Sequence, residues 1–194
     1  MTEALDTLRT AEAELNGLGP LPFPLPLGGA APALAGAISG MKKGDWLVTG
    51  PRERVGAALR GCRVARLLDP ATGARPYKLA PVSAAPGSRA LHAVGLAMVS
   101  GPTLCVLGAA SAASGAFHEA LNLAGTLAPA VIFVLRMPAM PADAPVATQL
   151  GADPVALATA AGLQSWAVDD DETAVLDAVA AARTDGRPTL LLIR

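Results

Sequence analysis

From residue 88 onward the chain alternates between amphipathic segments and short segments that are continuously apolar. Apolar residues at three- and four-residue spacing predict helices, and the short apolar runs predict strands that are buried on both faces. This alternation is typical of strands joined by crossover helices in a parallel sheet. The predicted helices cover 88–99, 115–127, 153–161 and 171–184, and the predicted strands cover 103–107, 130–135, 165–168 and 189–193.

The first half of the chain is less regular. Apolar residues at helical spacing predict a helix over 2–18. Residues 20–26 are rich in proline and must be extended, because proline fixes its own φ and disfavours the helical region for the preceding residue. We further expect a packed helix over 29–41, a helical stretch over 51–68 that is interrupted near Gly61, and a long loop over 69–88.

The length of the chain fits one domain. A chain of 194 residues can be covered by a single hydrophobic core. We therefore expect an N-terminal helix and proline-rich arm over 1–27, followed by a single domain over 28–194. Apolar residues make up 52% of the chain but aromatic residues only 3%, so Ala, Leu and Val must build the interior.

Charge and composition narrow the class of protein. A net charge of −1 leaves no basic surface for nucleic acid, and the sparse charges favour apolar surface that a homo-oligomer would cover. Residues 16–41 carry no charge, but their prolines would break a membrane-spanning helix. The N-terminus lacks the pattern of a secretory signal, which predicts a cytoplasmic protein. Cys62 and Cys105 lack metal-ligand spacing and are expected to be reduced and buried.

The first candidate site follows the predicted strand 103–107. In an open parallel sheet, ligands bind beyond the carboxyl ends of the strands. Gly108-Ala109-Ala110 would let a phosphate approach the backbone, but without the spacing of a nucleotide-binding motif a close-packed turn is the favoured interpretation. The acidic run 169–172 is more typical of a helix cap, formed by Asp170 or Asp171, than of a metal site.

A family resemblance starts from the helix sequence Phe117-His118-Glu119-Ala120-Leu121-Asn122, with Gly108 before it and the apolar strand 131–135 after it. This stretch resembles the thiamine-diphosphate motif in the alpha subunits of pyruvate and branched-chain 2-oxo-acid dehydrogenases. Lys43-Gly44-Asp45-Trp46, Arg52 and residues 88–97 resemble further segments of that family in the same order. The resemblance runs from about residue 28 to the end. It implies an α/β thiamine-diphosphate-binding fold, with a mostly parallel sheet and helices on both faces.

The departures from the family fall on its chemistry. The resemblance implies an aspartate and an asparagine that hold Mg²⁺, which in turn holds the cofactor diphosphate, since this hard cation requires oxygen ligands. Ala109 stands at the aspartate position, and Met137-Pro138 stand at the two asparagines. No metal ligand is therefore expected, and no catalytic residue is assigned. The vestigial cofactor-binding positions are Arg52, Gly108, Ala109 and Ala110.

The motif helix keeps three polar side chains at positions 118, 119 and 122. His118, Glu119 and Asn122 are spaced so that they can share one helix face. Proton transfer is one interpretation, but hydrogen bonding at the helix surface or at a subunit interface is favoured over it. We regard them as a possible interface.

Two hypotheses follow from these features. The preferred one is a non-catalytic structural or regulatory homologue of the alpha subunit, acting through self-assembly or through a dehydrogenase beta-type subunit, with no cofactor expected. The alternative is an active alpha subunit that uses thiamine diphosphate and Mg²⁺ to decarboxylate a 2-oxo acid and passes the acyl group to a lipoyl carrier. A third possibility is a sensor that binds another small ligand in the vacated pocket.

Overall fold

The computed structural model describes residues 2–18, 27–68, 75–83, 85, 87–137 and 150–194. Within these ranges, the strands are β1 (Trp46–Val48), β2 (Thr103–Gly108), β3 (Val131–Arg136), β4 (Gln164–Val168) and β5 (Thr189–Ile193). The α-helices are α1 (Glu3–Gly17), α2 (Ala31–Ser39), α3 (Ser88–Ser100), α4 (Ala109–Ala112), α5 (Gly115–Leu127), α6 (Pro154–Ala160) and α7 (Glu172–Asp185). Short 3₁₀-helices cover Gly28–Ala30, Glu53–Arg60, Val64–Leu68 and Arg75–Tyr77.

The strands form one parallel sheet in the order β1-β2-β3-β5-β4. Strands β1, β2 and β3 are neighbours in chain order. The chain then skips one position to form the edge strand β4, and β5 fills the position between β3 and β4. Parallel strands need long crossover connections, and helices supply most of them here. The parallel sheet expected from the alternation of helices and strands is confirmed.

Helices cover both faces of the sheet, as expected. Successive strand residues point to opposite faces, so Leu104 and Val106 lie in one core cluster while Cys105 and Leu107 lie in the other. The first cluster packs against α1, α2 and α7, and the second packs against α3, α5 and α6. Continuous apolar runs are the consequence of burial on both sides.

The strands after residue 100 begin and end within one residue of their predicted bounds, but β1 was not predicted. It has only three residues, too few to show a pattern, and it is held by pairing with β2 and by a bridge from Leu47 to Leu79. The stretch 51–68 forms two 3₁₀-helices instead of α-helix, with Gly61 between them at a φ of 82°. A positive φ favours glycine, which explains the predicted interruption.

The N-terminal region is partly described. The helix predicted over 2–18 is confirmed as α1, and its Leu8 and Leu15 lie in the same core cluster as α2. The extended segment predicted over 20–26, and much of the loop predicted over 69–88, lie outside the described residues. The proposed boundary at residue 27 stays a prediction.

Two further expectations concern thiols and membranes. Cys62 and Cys105 are both free and buried, as predicted. Burial raises the pKa of the Cys105 thiol to about 12, so this thiol stays protonated at neutral pH and is a poor nucleophile. Among the residues that the structure describes, no helix has both the length and the apolar character needed to cross a membrane.

Candidate functional site

A cavity of about 420 Å³ lies at the carboxyl ends of β2 and β3, on the side of the sheet that α2 covers. This is the position at which open parallel sheets bind ligands. Its volume is within the range of about 300–1,000 Å³ that is usual for small-molecule sites. The cavity is lined by Leu27, Ala30, Ala33, Leu34, Arg52, Glu53, Val106, Leu107, Gly108, Ala109, Ala110, Val134 and Arg136.

The space exists because small side chains lie in the first turn of α2 and in the 3₁₀-helix before it, where the chain passes the strand ends. Ala30 and Ala33 face the cavity, opposite Val106 and Val134 of the sheet. Leu34 also contributes to this wall and is almost fully buried. The inner part of the cavity is therefore apolar.

The turn after β2 supplies the floor at the strand end. Gly108 is extended and precedes the four-residue helix α4, whose first residues are Ala109 and Ala110. Ser111 and Ala112 of the same helix are buried. The turn predicted here is therefore a short helix that packs closely and presents methyl groups to the cavity.

Charged groups surround the cavity mouth, and most of them are paired. Arg136 ends β3 and donates from Nε to Asp170 at 2.8 Å, and from a terminal nitrogen to the Gly29 carbonyl at 3.0 Å. Glu53 lies 3.8 Å from Arg89, and both side chains are largely buried. Arg52 is exposed and forms no ion pair with any residue in the described ranges.

The residues present do not fit a magnesium ion with its diphosphate. Ala109 presents a methyl group where the resemblance implies a carboxylate. Glu53, which lines the cavity, and Asp170, which pairs with Arg136 of the lining, both face arginines. Within the described part of the chain, no cluster of His, Cys, Asp or Glu side chains could hold a metal. Mg²⁺ requires a near-octahedral set of oxygens, which these side chains do not provide.

The sequence-predicted site residues fall in two places. Arg52, Gly108, Ala109 and Ala110 all line the cavity, although their role in cofactor binding stays a prediction. Met137 packs instead against the core cluster on the α5 side of the sheet, and its N–H donates to Ile193 at 3.0 Å. Pro138 lies outside the described residues.

The possible interface residues lie apart from the cavity. His118, Glu119 and Asn122 are exposed on α5, which covers the opposite face of the sheet. The ring of His118 is 5.9 Å from that of Phe117 in an edge-to-face arrangement. This arrangement places the three polar side chains on the surface of the chain, and their role at an interface stays a prediction.

Several cavity residues were not predicted from the sequence. Leu27, Leu34, Glu53 and Arg136 line it, and Asp170 holds Arg136 in place. Arg136 carried a usable signal, because it directly follows the apolar strand predicted over 130–135. Within the acidic run, Asp171 caps α7 by accepting from the N–H groups of residues 173 and 174, so capping is confirmed for Asp171 but not for Asp170.

The fold is the thiamine-diphosphate-binding fold, as comparison with solved structures shows. Transketolase from Leishmania mexicana superposes with a TM-score of 0.76 at 19% identity, over 98% of this chain and 36% of that protein. Transketolase from Campylobacter jejuni gives 0.74 at 20% identity, over 98% and 37%. A putative thiamin diphosphate-dependent enzyme from Mycobacterium smegmatis gives 0.57 at 18% identity, over 85% and 31%.

The sequence itself is similar to a dehydrogenase subunit. It is 29% identical to the alpha subunit of 3-methyl-2-oxobutanoate dehydrogenase from Mycobacterium tuberculosis, over 95% of this chain. The chain spans 55% of the length of that relative. No family model matches the sequence. The resemblance to 2-oxo-acid dehydrogenase alpha subunits is thereby confirmed.

Proposed function

We propose that this chain is a non-catalytic homologue of a 2-oxo-acid dehydrogenase alpha subunit, which acts in the cytoplasm as a structural or regulatory component. The observation that carries the proposal is the wall of the cavity at residue 109. A methyl group lies where the resemblance implies a metal-binding carboxylate, while the surrounding frame of strands and helices is intact.

The charges at the cavity support the same proposal. A diphosphate carries more than one negative charge and needs a cation to offset it. Arg136 is already committed to Asp170 and to the Gly29 carbonyl, so Arg52 is the remaining cation at the mouth in the described chain. One exposed guanidinium is a weak substitute for Mg²⁺, because solvent screens it.

Exposed apolar side chains at the ends of α3 and α5 support a function through protein contacts. The partner would be a copy of the same chain or a beta-type subunit. Val99 is 81% exposed and Met98 56% exposed at the end of α3, and Leu127 is 47% exposed at the end of α5. A partner that covered these side chains would remove their apolar surface from water, which favours association. His118 and Asn122 lie on the exposed side of the same α5 and would add polar contacts.

An activity assay tests the proposal against its alternative. The chain would be purified with whatever proteins accompany it and supplied with thiamine diphosphate, MgCl₂ and a branched-chain 2-oxo acid. We expect no substrate-dependent reduction of an artificial electron acceptor above the rate of a heat-treated sample. Turnover that depends on both the cofactor and the 2-oxo acid would establish the active alpha subunit instead.

A further inference from the structure

The cavity at the ends of β2 and β3 combines apolar walls with a charged mouth. The cavity walls carry small alanine side chains, which leave space between the branched apolar side chains of Leu27, Leu34, Val106 and Val134. Sites of this kind bind ligands whose body is apolar and whose orientation is fixed by a few polar groups. The walls therefore select for a ligand with a hydrocarbon portion.

The charges at the mouth select for a single negative charge. Arg89 is paired with Glu53, and Arg136 is paired with Asp170. Arg52 lines the cavity and has no ion-pair partner in the described ranges, so these groups together leave one positive charge. A neutral apolar ligand would leave that charge unused, and a polyanion would exceed it.

We infer that the cavity binds a small monocarboxylate with an apolar chain, whose carboxylate pairs with Arg52. The two parallel N–H groups of a guanidinium match the two oxygens of a carboxylate, which lysine cannot reproduce. The hydrocarbon chain would lie against Leu34, Val106 and Val134, where burying its apolar surface away from water favours binding. No metal takes part, in agreement with the donor set at the site.

The inference goes beyond the proposed function, because it assigns a ligand to a chain for which no reaction is proposed. The two ideas can fail separately. Binding of thiamine diphosphate with Mg²⁺ would refute the non-catalytic proposal, whereas the carboxylate inference is decided by titration with carboxylates in metal-free buffer.

Isothermal titration of the full chain with sodium octanoate in EDTA-containing buffer is the test. We expect saturable binding of one octanoate per chain, and a rise in Tm on adding it. Octan-1-ol and octylamine should bind about five-fold more weakly, because neither supplies a carboxylate to the exposed Arg52. Inorganic pyrophosphate should bind more weakly as well, because it has no apolar part.

Variants at the cavity mouth test whether the charge of Arg52 contributes to binding, and a variant at the wall tests whether the cavity volume does. Arg52→Ala should weaken octanoate binding about five-fold and Arg52→Lys by less. Arg66→Ala should leave it unchanged, because Arg66 is exposed and does not line the cavity. Ala30→Leu should fill the space and also reduce binding. Circular dichroism would verify that each variant is folded.

Several results would overturn the inference. Equal affinity for octanoate and octan-1-ol would show that the charge is not recognised, and tighter binding of pyrophosphate would indicate a phosphate site. Unchanged binding in Arg52→Ala or in a folded Ala30→Leu variant would place octanoate elsewhere on the protein. Absence of any octanoate binding to the wild-type chain would refute it directly.

Discussion

Cys105 shows how burial controls the chemistry of a single residue. It lies in the middle of β2 with no exposed surface, and its thiol is 3.6 Å from the Arg89 carbonyl. Burial raises its pKa from 9.0 to about 12, although the nearby Arg89 acts in the opposite direction. The thiolate is the reactive form of cysteine, so this residue belongs to the core and not to the site.

The raised pKa of Cys105 predicts a loss of stability in alkaline solution. The unfolded thiol ionises above about pH 9 while the folded one does not, so its stabilising contribution is complete below pH 9 and decreases up to about pH 12. The free energy of unfolding should fall by up to about 1.4 kcal/mol per pH unit in this window. Urea titrations of the wild type and Cys105→Ala at several pH values check this. Identical slopes against pH would contradict it.

Single residues of the site were harder to predict than its position. Arg136 and Asp170 are far apart in the sequence, and neither shows a pattern that would pair them. Ile193 of β5 pairs with Arg136 of β3 on one side and with Val168 of β4 on the other. Asp170 lies two residues after Val168, so the register of the sheet brings it near Arg136. Long-range pairs of this kind depend on strand order, which local patterns do not determine.

At the scale of elements, α2 and α7 pack so closely that glycine is needed between them. A Cβ atom at Gly36 would lie 2.2 Å from the Glu172 carbonyl oxygen and 3.0 Å from the Leu176 nitrogen. Backbone atoms cannot rotate away as a side chain can. The position of α2, and thus the wall of the cavity, depends on this contact.

Gly36→Ala should therefore lower the free energy of unfolding by about 1–3 kcal/mol through overpacking. Gly95→Ala is the matched control, because Gly95 also lies inside a helix but its Cβ would meet open space. That change should stabilise the chain by about 0.5–1 kcal/mol, since alanine is the better helix former. Chemical denaturation measures both, and equal effects would contradict the packing argument.

An ion pair fastens the end of α7 to the turn that precedes β1. Arg183 donates from two nitrogens to the Asp45 carboxylate, which also accepts from the Lys42 N–H at 2.8 Å. Asp45 is 5% exposed, and these hydrogen bonds raise the pKa of Arg183. The family-like Gly44-Asp45-Trp46 segment thus has a structural role in this chain.

Asp45→Asn should destabilise the chain by about 2 kcal/mol, because it leaves a partly buried guanidinium without its counter-charge. The exposed pair Arg187 with Asp185 provides the control, and Arg187→Gln should cost no more than about 0.5 kcal/mol. Urea unfolding of both variants gives the comparison. A cost for Asp45→Asn as small as the control's would show that the pair is solvated.

Elements were predictable where their signal was long enough. Strands β2, β3 and β5 are apolar runs of five or six residues and were placed within one residue. The 3₁₀-helix Glu53–Arg60 was predicted only as helical. Over so short a stretch, the positions of apolar residues do not distinguish a 3₁₀-helix from an α-helix. Strand β1 is held by its neighbours and has no pattern of its own.

At the scale of the whole molecule, exposed apolar side chains support a function in which this chain associates with other protein chains. Val99→Asp places a charge on the most exposed large apolar side chain in the described ranges and should reduce the molar mass of the assembly. Ala181→Asp, on an exposed position of α7 across the sheet, is the control and should leave it unchanged. Light scattering after size exclusion, with co-purification, measures this. A wild-type monomer without any co-purifying protein would contradict the prediction.

The chain keeps the thiamine-diphosphate-binding fold, and we propose that it lacks the metal site. Titration calorimetry of thiamine diphosphate into the wild-type chain, with MgCl₂ and again with EDTA, tests it most directly. We expect no magnesium-dependent binding of thiamine diphosphate to the wild type, because residue 109 presents a methyl group and not a carboxylate to the cavity. Saturable binding to the wild type that EDTA abolishes would contradict the claim.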